Sequence, residues 1–283
     1  MYVLLETFGM KFKTIFILFN AILIFSFAFI FLMPFFLLGA EYSTPFWLKN
    51  WPLFMVFAAV LVGFNIFFVL NWRLFSLLES EDWESLGALL VDRVLVRRRY
   101  DRRMIRLLVN TSLLRGDMAT IERLESALRV GKPTALRRDA VLFGAARMLK
   151  NDAEATEAFL AEFVDGRGVD NAQWLLFYYG FVLVMRERFD EATPRVQSTV
   201  SAKDPVLALM SAYILGSLCA VAAKPGDRQA QVDSAEAVRT RLSHTFDVAK
   251  WAREAERAKG EVHIVILSRI LDEASGWLFA AKA

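Results

Sequence analysis

One cysteine, two histidines and seven prolines in 283 residues leave little room for several kinds of chemistry. The single thiol, Cys219, sits on an apolar stretch and cannot close an internal disulfide, which fits a reducing compartment. With no cation beside it in sequence, it reads as a buried structural residue rather than a reactive one. His244 and His263 stand 19 residues apart without cysteine or carboxylate at ligand spacing, so each reads as a helix-surface residue and no metal is expected. Phosphate loop, zinc-binding helix and nucleophile elbow are all missing, and Gly166-Arg167-Gly168 is a loop rather than a dinucleotide fingerprint. The expectation is a protein without cofactor that is not an enzyme.

Charge is also missing over two long runs. Residues 14–40 and 50–72, 27 and 23 positions, contain no ionisable side chain, and either exceeds the roughly 20 residues that cross a bilayer as a helix. These runs account for a mean hydropathy of +0.37 with 56% hydrophobic residues and 25 Phe, too apolar for one soluble domain. The short GAEYSTPFWLKNWP between them offers Trp47 and Trp51 as interfacial anchors, so residues 1–72 are predicted to form a transmembrane helical hairpin with a small outer loop. Lys11, Lys13 and Arg73 flank it on one side against Lys49 on the other, which places the rest of the chain in the cytoplasm by the positive-inside rule. The competing reading is a signal peptide beginning near Met10. Its apolar core is too long, Leu38-Gly39-Ala40 lacks the small residue needed before a cut, and cleavage would leave the same cytoplasmic domain. Asn20 and Asn65 are the amides well inside the spans; they are expected to bond across the hairpin, which reads as an anchor rather than a transport path.

Beyond residue 73 the sequence repeats. Gly144, Gly180 and Gly216 are each 36 residues apart, and polar breaks precede Trp83, Met118, Ala153 and Phe189 at spacings of 35, 35 and 36. Such a period marks stacked helical hairpins, each burying its apolar face on its neighbours. Residues 171–205, NAQWLLFYYGFVLVMRERFDEATPRVQSTVSAKDP, carry the pattern most fully, with Gly180 in a first helix, Phe189-Asp190-Glu191-Ala192 opening a second, and Pro205 after it. This resembles a tetratricopeptide repeat. The resemblance covers about residues 74–246, and two spans followed by such repeats are similar in layout to bacterial envelope-assembly proteins.

The predicted fold is therefore all-α: an anchor over 1–72, a tetratricopeptide-like solenoid over 73–246, and capping helices over 247–283. The second span is expected to run on into the first, degenerate repeat. The β-branched stretch from Val262 to Leu267 could form a strand, but no second strand is available to pair with it.

In tetratricopeptide domains the first helices line a concave groove for a peptide or partner helix. The resemblance implies that Arg103, Arg106, Asn110 and Arg138 line it here, followed by Trp174, Phe177, Tyr178, Phe181 and Tyr213. Arg106 and Asn110 stand at two carboxylate-clamping positions; the others hold Leu142, Trp174 and Tyr178, so the clamp is incomplete. The groove would suit an amphipathic or acidic protein segment. An alternative stays open, in which these aromatics are core between repeats or are covered by the final helix.

Seven arginines crowd residues 93–106 against Asp101 and leave the rest of the soluble part slightly acidic. Arg93, Arg97, Arg98, Arg99 and Arg102 form a basic patch beside the groove residues Arg103 and Arg106. Its readings are a solvated helix face, a contact with anionic lipid if the hairpin folds back to the surface, or an acidic protein partner; nucleic acid lacks a recognised module. The functional expectation is a scaffold that positions a partner in an envelope-associated assembly of the bacterial inner membrane, the alternative being a structural subunit of a motility or secretion machine.

Overall fold

The computed structural model describes residues 12–280, and among them every regular element is helical. Lys11, used above to orient the hairpin, and Ala281, at the expected end of the last helix, lie outside the described residues. The chain divides into two compact units, one reaching to Leu89 and one beginning at Leu90.

The first unit is built on α1 (Phe12–Lys49) and α2 (Trp51–Glu79), which pack on each other. Both are long and apolar enough to cross a membrane. Large side chains such as Phe36, Leu37 and Leu70 are exposed along them. Such exposure costs nothing in hydrocarbon, where lipid tails are as apolar as the side chains and a helix bonds its backbone polar groups internally. Between the helices, Phe27 and Phe31 each meet Phe54 with ring centroids 5.3 Å apart. Asn65 Nδ2 donates to Asn20 Oδ1 at 2.8 Å, the cross-hairpin bond expected from sequence. Such a bond contributes about 0.6 kcal/mol in lipid. The outer segment departs from expectation: at Gly39, φ +76°, the chain changes direction and then continues as helix to Lys49. Trp47, expected as an interfacial anchor, packs on Phe31 with ring centroids 4.2 Å apart. α3 (Trp83–Val91) follows and ends in a π-helical turn, Asp92–Val96.

The second unit is a series of paired helices. α4 (Arg102–Leu114) pairs with α5 (Met118–Gly131). The next first helix is in two pieces, α6 (Pro133–Arg138) and α7 (Ala140–Met148), and pairs with α8 (Ala153–Val164). α9 (Ala172–Met185) pairs with α10 (Phe189–Thr199), and α11 (Pro205–Ile214), prolonged by a π-helical turn, pairs with α12 (Pro225–Thr245). Aspartates set several starts: the side chains of Asp101, Asp117, Asp152 and Asp204 accept from backbone N–H groups of the first turn, satisfying donors that have no partner within the helix. Pro133, Pro205 and Pro225 each stand in a first turn, where the missing N–H costs nothing.

The three periodic glycines share one job. A Cβ on Gly144 would meet Leu160 Cδ2 of α8 at 2.5 Å, on Gly180 Val196 Cγ2 of α10 at 2.9 Å, and on Gly216 Ala235 Cβ of α12 at 2.8 Å. Each glycine thus lets a first helix press onto its own second helix. First helices also stack in order, α4 on α7, α7 on α9 and α9 on α11. Residues 205–222 are apolar enough by composition for a third span, yet they are mostly buried among these neighbours, which accounts for the apolarity. Cys219 is fully buried there, and burial raises its thiol pKa, as expected of a structural residue.

Carboxylates staple successive pairs. Glu125 of α5, 7% exposed at its side chain, accepts from Arg129 and from Arg147 of α7, while Glu157 of α8 accepts from Arg186 and Arg188 beyond α9.

The chain then reverses. α13 (Val248–Lys259) packs on α11, α14 (Val262–Val265) packs on α7, and α15 (Ser268–Phe279) packs on α11 and α12. The β-branched stretch is thus a short helix and a turn, not a strand, and the single closing helix expected over 261–281 is broken between Val265 and Ser268.

Candidate functional site

α14 returns across the first helices, so the aromatic stripe expected to line an open groove is core. Trp174, Phe177 and Tyr178 are 5%, 0% and 0% exposed. Trp174 meets the His263 ring edge-on at 5.2 Å and donates its Nε1–H to Asp204 Oδ2 at 3.0 Å. The Tyr178 hydroxyl donates to the His263 carbonyl, and burial raises that phenol well above its usual range. Phe181 is half-buried and stacks on Phe177 at 6.2 Å. Tyr213 is half-buried beside Trp277 and donates to Glu273 of α15 at 3.3 Å. The physical reason is composition: α9 is apolar on every side, so a helix in that position needs a cover on each face.

The polar end of the expected groove survives as a cleft of about 510 Å³. It is bounded by α4, the α6–α7 break, Asp170 and Asn171 before α9, and residues 260–263 between α13 and α14. Arg106 is central. Its Nε donates to Asp139 Oδ1 at 2.8 Å and one Nη to Asp170 Oδ2 at 3.3 Å. Arg138 donates to Asp139 Oδ2 at 2.9 Å, and Arg102 donates to Asp170. Asp139, with no exposed side-chain surface, is therefore held from two sides by guanidinium groups. It stands where α6 gives way to α7, so the helix break turns its carboxylate into the cleft between the two arginines. A backbone bond from Asp170 N to Arg138 O, 2.9 Å, ties the opposite lip.

Two acceptors in this wall have no partner among the described residues: Asn110 Oδ1 and His263 Nε2. His263, 6% exposed, is buried rather than on a helix surface as expected, whereas His244 is exposed. Burial lowers the His263 pKa to about 4; nearby Arg106 pushes the same way, and Asp204 pulls against both. The ring is neutral at pH 7. Nδ1 lies 3.3 Å from Glu261 Oε2, which favours the proton on Nδ1 and leaves Nε2 as an acceptor.

Of the residues expected to line the groove, the structure joins Arg106, Asn110 and Arg138 in one cleft, brings in Arg102 from the basic patch, and separates them from the aromatics. Arg103 is exposed at the start of α4. The basic patch does not form one helix face, because the chain leaves helical geometry after Val96 and Arg98 adopts φ +53°. Arg97 pairs with Asp92 at 2.8 Å, Arg93 is half-buried, and Arg98 and Arg99 are exposed. Sequence reasoning missed Asp139, Asp170, Glu261 and His263. Arg137-Arg138-Asp139 inside an otherwise apolar helix was the available signal for the first of them. Among the described residues, no cluster of three or more His, Cys, Asp or Glu is placed to hold a metal ion.

A family model described as "Uncharacterised Treponema protein" matches residues 120–280, more than half of the chain. The chain belongs to this family. The matched region takes in Arg138, Asp139, Asp170 and His263 but stops short of Arg102, Arg106 and Asn110. The chain is also 25% identical over 237 residues to a Treponema pallidum (strain Nichols) protein described as "Uncharacterized protein", covering 80% of this chain and 74% of that protein. Coverage so broad has to reach back into α2, so this similarity includes part of one of the two long apolar helices. No solved structure matches the chain.

Proposed function

We propose that this protein is a membrane-anchored scaffold without enzymatic activity, whose tetratricopeptide-like solenoid recruits or positions a protein partner in an envelope-associated assembly. In this reading α1 and α2 cross the bacterial inner membrane and the helical hairpins lie in the cytoplasm, on the side of Arg73. The observation that carries it is the recurrence of Gly144, Gly180 and Gly216 at the same kind of helix crossing, each pressed against its own second helix. That regularity is what stacked repeats require, and exposed first-helix positions of such arrays serve binding. With the aromatic stripe buried, the partner surface contracts to exposed cations, Arg103 with Arg98 and Arg99, which suit an acidic segment or, at the lipid surface, anionic headgroups.

Arg106 and Arg138 are poor test positions, since reversing them would strand the buried Asp139. The test is crosslinking from native membranes, comparing the intact chain with an Arg98→Glu, Arg99→Glu, Arg103→Glu variant. Loss of one discrete partner, with unchanged helicity by circular dichroism, supports recruitment through this face. Retention of every crosslinked partner refutes it and turns attention to the α1–α2 hairpin as the contact surface, as a structural subunit of a membrane machine would use it.

A further inference from the structure

The cleft around Arg106 is suited to a kind of ligand that the scaffold reading does not require. Its ionised wall is balanced: Arg102, Arg106 and Arg138 face Asp139, Asp170 and Glu261. These groups already neutralise one another, so a ligand of net charge would upset the balance of a partly desolvated site, whereas a zwitterion preserves it. Guanidinium edges not turned to Asp139 or Asp170 remain as donors on Arg102 and Arg138, since each has five N–H groups. The same wall holds Asn110 Oδ1 and His263 Nε2, buried acceptors without a partner among the described residues. Such atoms have lost water and gained nothing, a cost recovered when a ligand N–H reaches them.

We propose that this cleft binds a free α-amino acid. The ligand carboxylate lies on Arg102 and Arg138, and its ammonium, with three donors, bonds Asn110 Oδ1 and His263 Nε2. A neutral His263 is essential here, because an imidazolium has no acceptor and would repel the ammonium. The side chain lies along Val141, Leu142 and Val262 on the apolar part of the wall. The end of a peptide is a poorer fit, since it brings one charge alone into a wall whose own charges are balanced.

The test uses the full chain in lipid nanodiscs, titrated at millimolar concentration with each standard L-amino acid in turn and followed by thermal unfolding and calorimetry. At least one raises the melting temperature by binding the folded state. For that amino acid, the deaminated acid and the decarboxylated amine with the same side chain bind about 100-fold more weakly or worse, as a site built around both groups demands. Asn110→Leu keeps the volume and removes the acceptor; it abolishes the shift while helicity and the ligand-free melting temperature hold. His263→Phe gives a second variant that retains the ring contact with Trp174. The proposal is overturned if no standard amino acid shifts the transition. It also falls if either truncated analogue or a peptide terminus binds as well as the amino acid, or if both folded variants still bind.

Discussion

Lowering the pH from 7 to 5 should loosen α14 from the domain, and His263 sets how much. In the folded protein its pKa lies at about 4, against an ordinary value of 6.5. Between those values the unfolded chain binds a proton that the native ring refuses, so stability falls as pH falls through that window. Above pH 6.5 the penalty is absent. At about 1.4 kcal/mol per pH unit, pH 5 costs about 2 kcal/mol and the limit below pH 4 is about 3 kcal/mol. Burial is the chief cause, Arg106 adds to it and Asp204 opposes it; Glu261, at 3.3 Å, is 62% exposed and solvated. Because the His263 carbonyl also accepts from Tyr178, the segment leaves as a unit when the ring is protonated. Hydrogen exchange of the full chain in nanodiscs measures this directly, with amides of α14 and the facing turns of α9 exchanging about 30-fold faster at pH 5 than intrinsic chemistry explains. His263→Phe removes the pH dependence. If wild type and variant lose protection in parallel between pH 7 and 5, His263 is not the titrating group and the buried neutral ring is refuted.

Other perturbations probe the same design. Asp139→Ala, which leaves Arg106 and Arg138 facing a buried void, should cost about 3 kcal/mol in urea unfolding, far more than Asp165→Ala at an exposed pair. Gly180→Ala should destabilise by about 1–2 kcal/mol despite the better helix propensity of alanine, because the new methyl meets Val196 Cγ2 at 2.9 Å and the Val196 backbone nitrogen at 3.3 Å. Gly226→Ala, in the first turn of α12 with open space around it, should be neutral or stabilising by up to about 1 kcal/mol in the same assay. Asn65→Val should weaken the α1–α2 pairing by about 0.6 kcal/mol, read from reversible unfolding in mixed micelles, with no effect on the second unit.

Periodicity made much of the fold legible. The charge-free runs marked α1 and α2, and the 36-residue spacing of glycines found the helix pairs, because close approach of two helices demands the smallest residue at each crossing. What escaped the sequence depends on contacts distant along the chain. Tyr178 and His263 are 85 positions apart, and no pattern within α9 distinguishes an aromatic face that lines a groove from one that another helix covers. Part of the cleft was foreseen, because the tetratricopeptide resemblance put Arg106, Asn110 and Arg138 on the binding face of first helices; Arg102 was read only as part of the basic run. The cleft's carboxylates were not foreseen, because Asp139 and Asp170 act at irregular places, a helix break and a loop. The basic run misled for a related reason: seven arginines in sequence suggest one face, but the turn at residues 97–101 divides them between solvent and the cleft.

The return of α14 and α15 over earlier helices also bears on how the molecule comes into being. Helix pairs that touch only their sequence neighbours can form as soon as they are synthesised, and they can fray from either end without disturbing the middle. Here α7, α9 and α11 each wait for residues between 248 and 279 to complete their surroundings. During translation α1 and α2 are made first, while the three pairs built on α7, α9 and α11 remain with an apolar flank open. The last of these residues to be made convert that array from a row of semi-independent modules into one cooperative body. A stop or frameshift after residue 247 would therefore remove few residues and yet leave Trp174, Phe177 and Tyr178 uncovered, a target for chaperones and proteases rather than a shortened working protein.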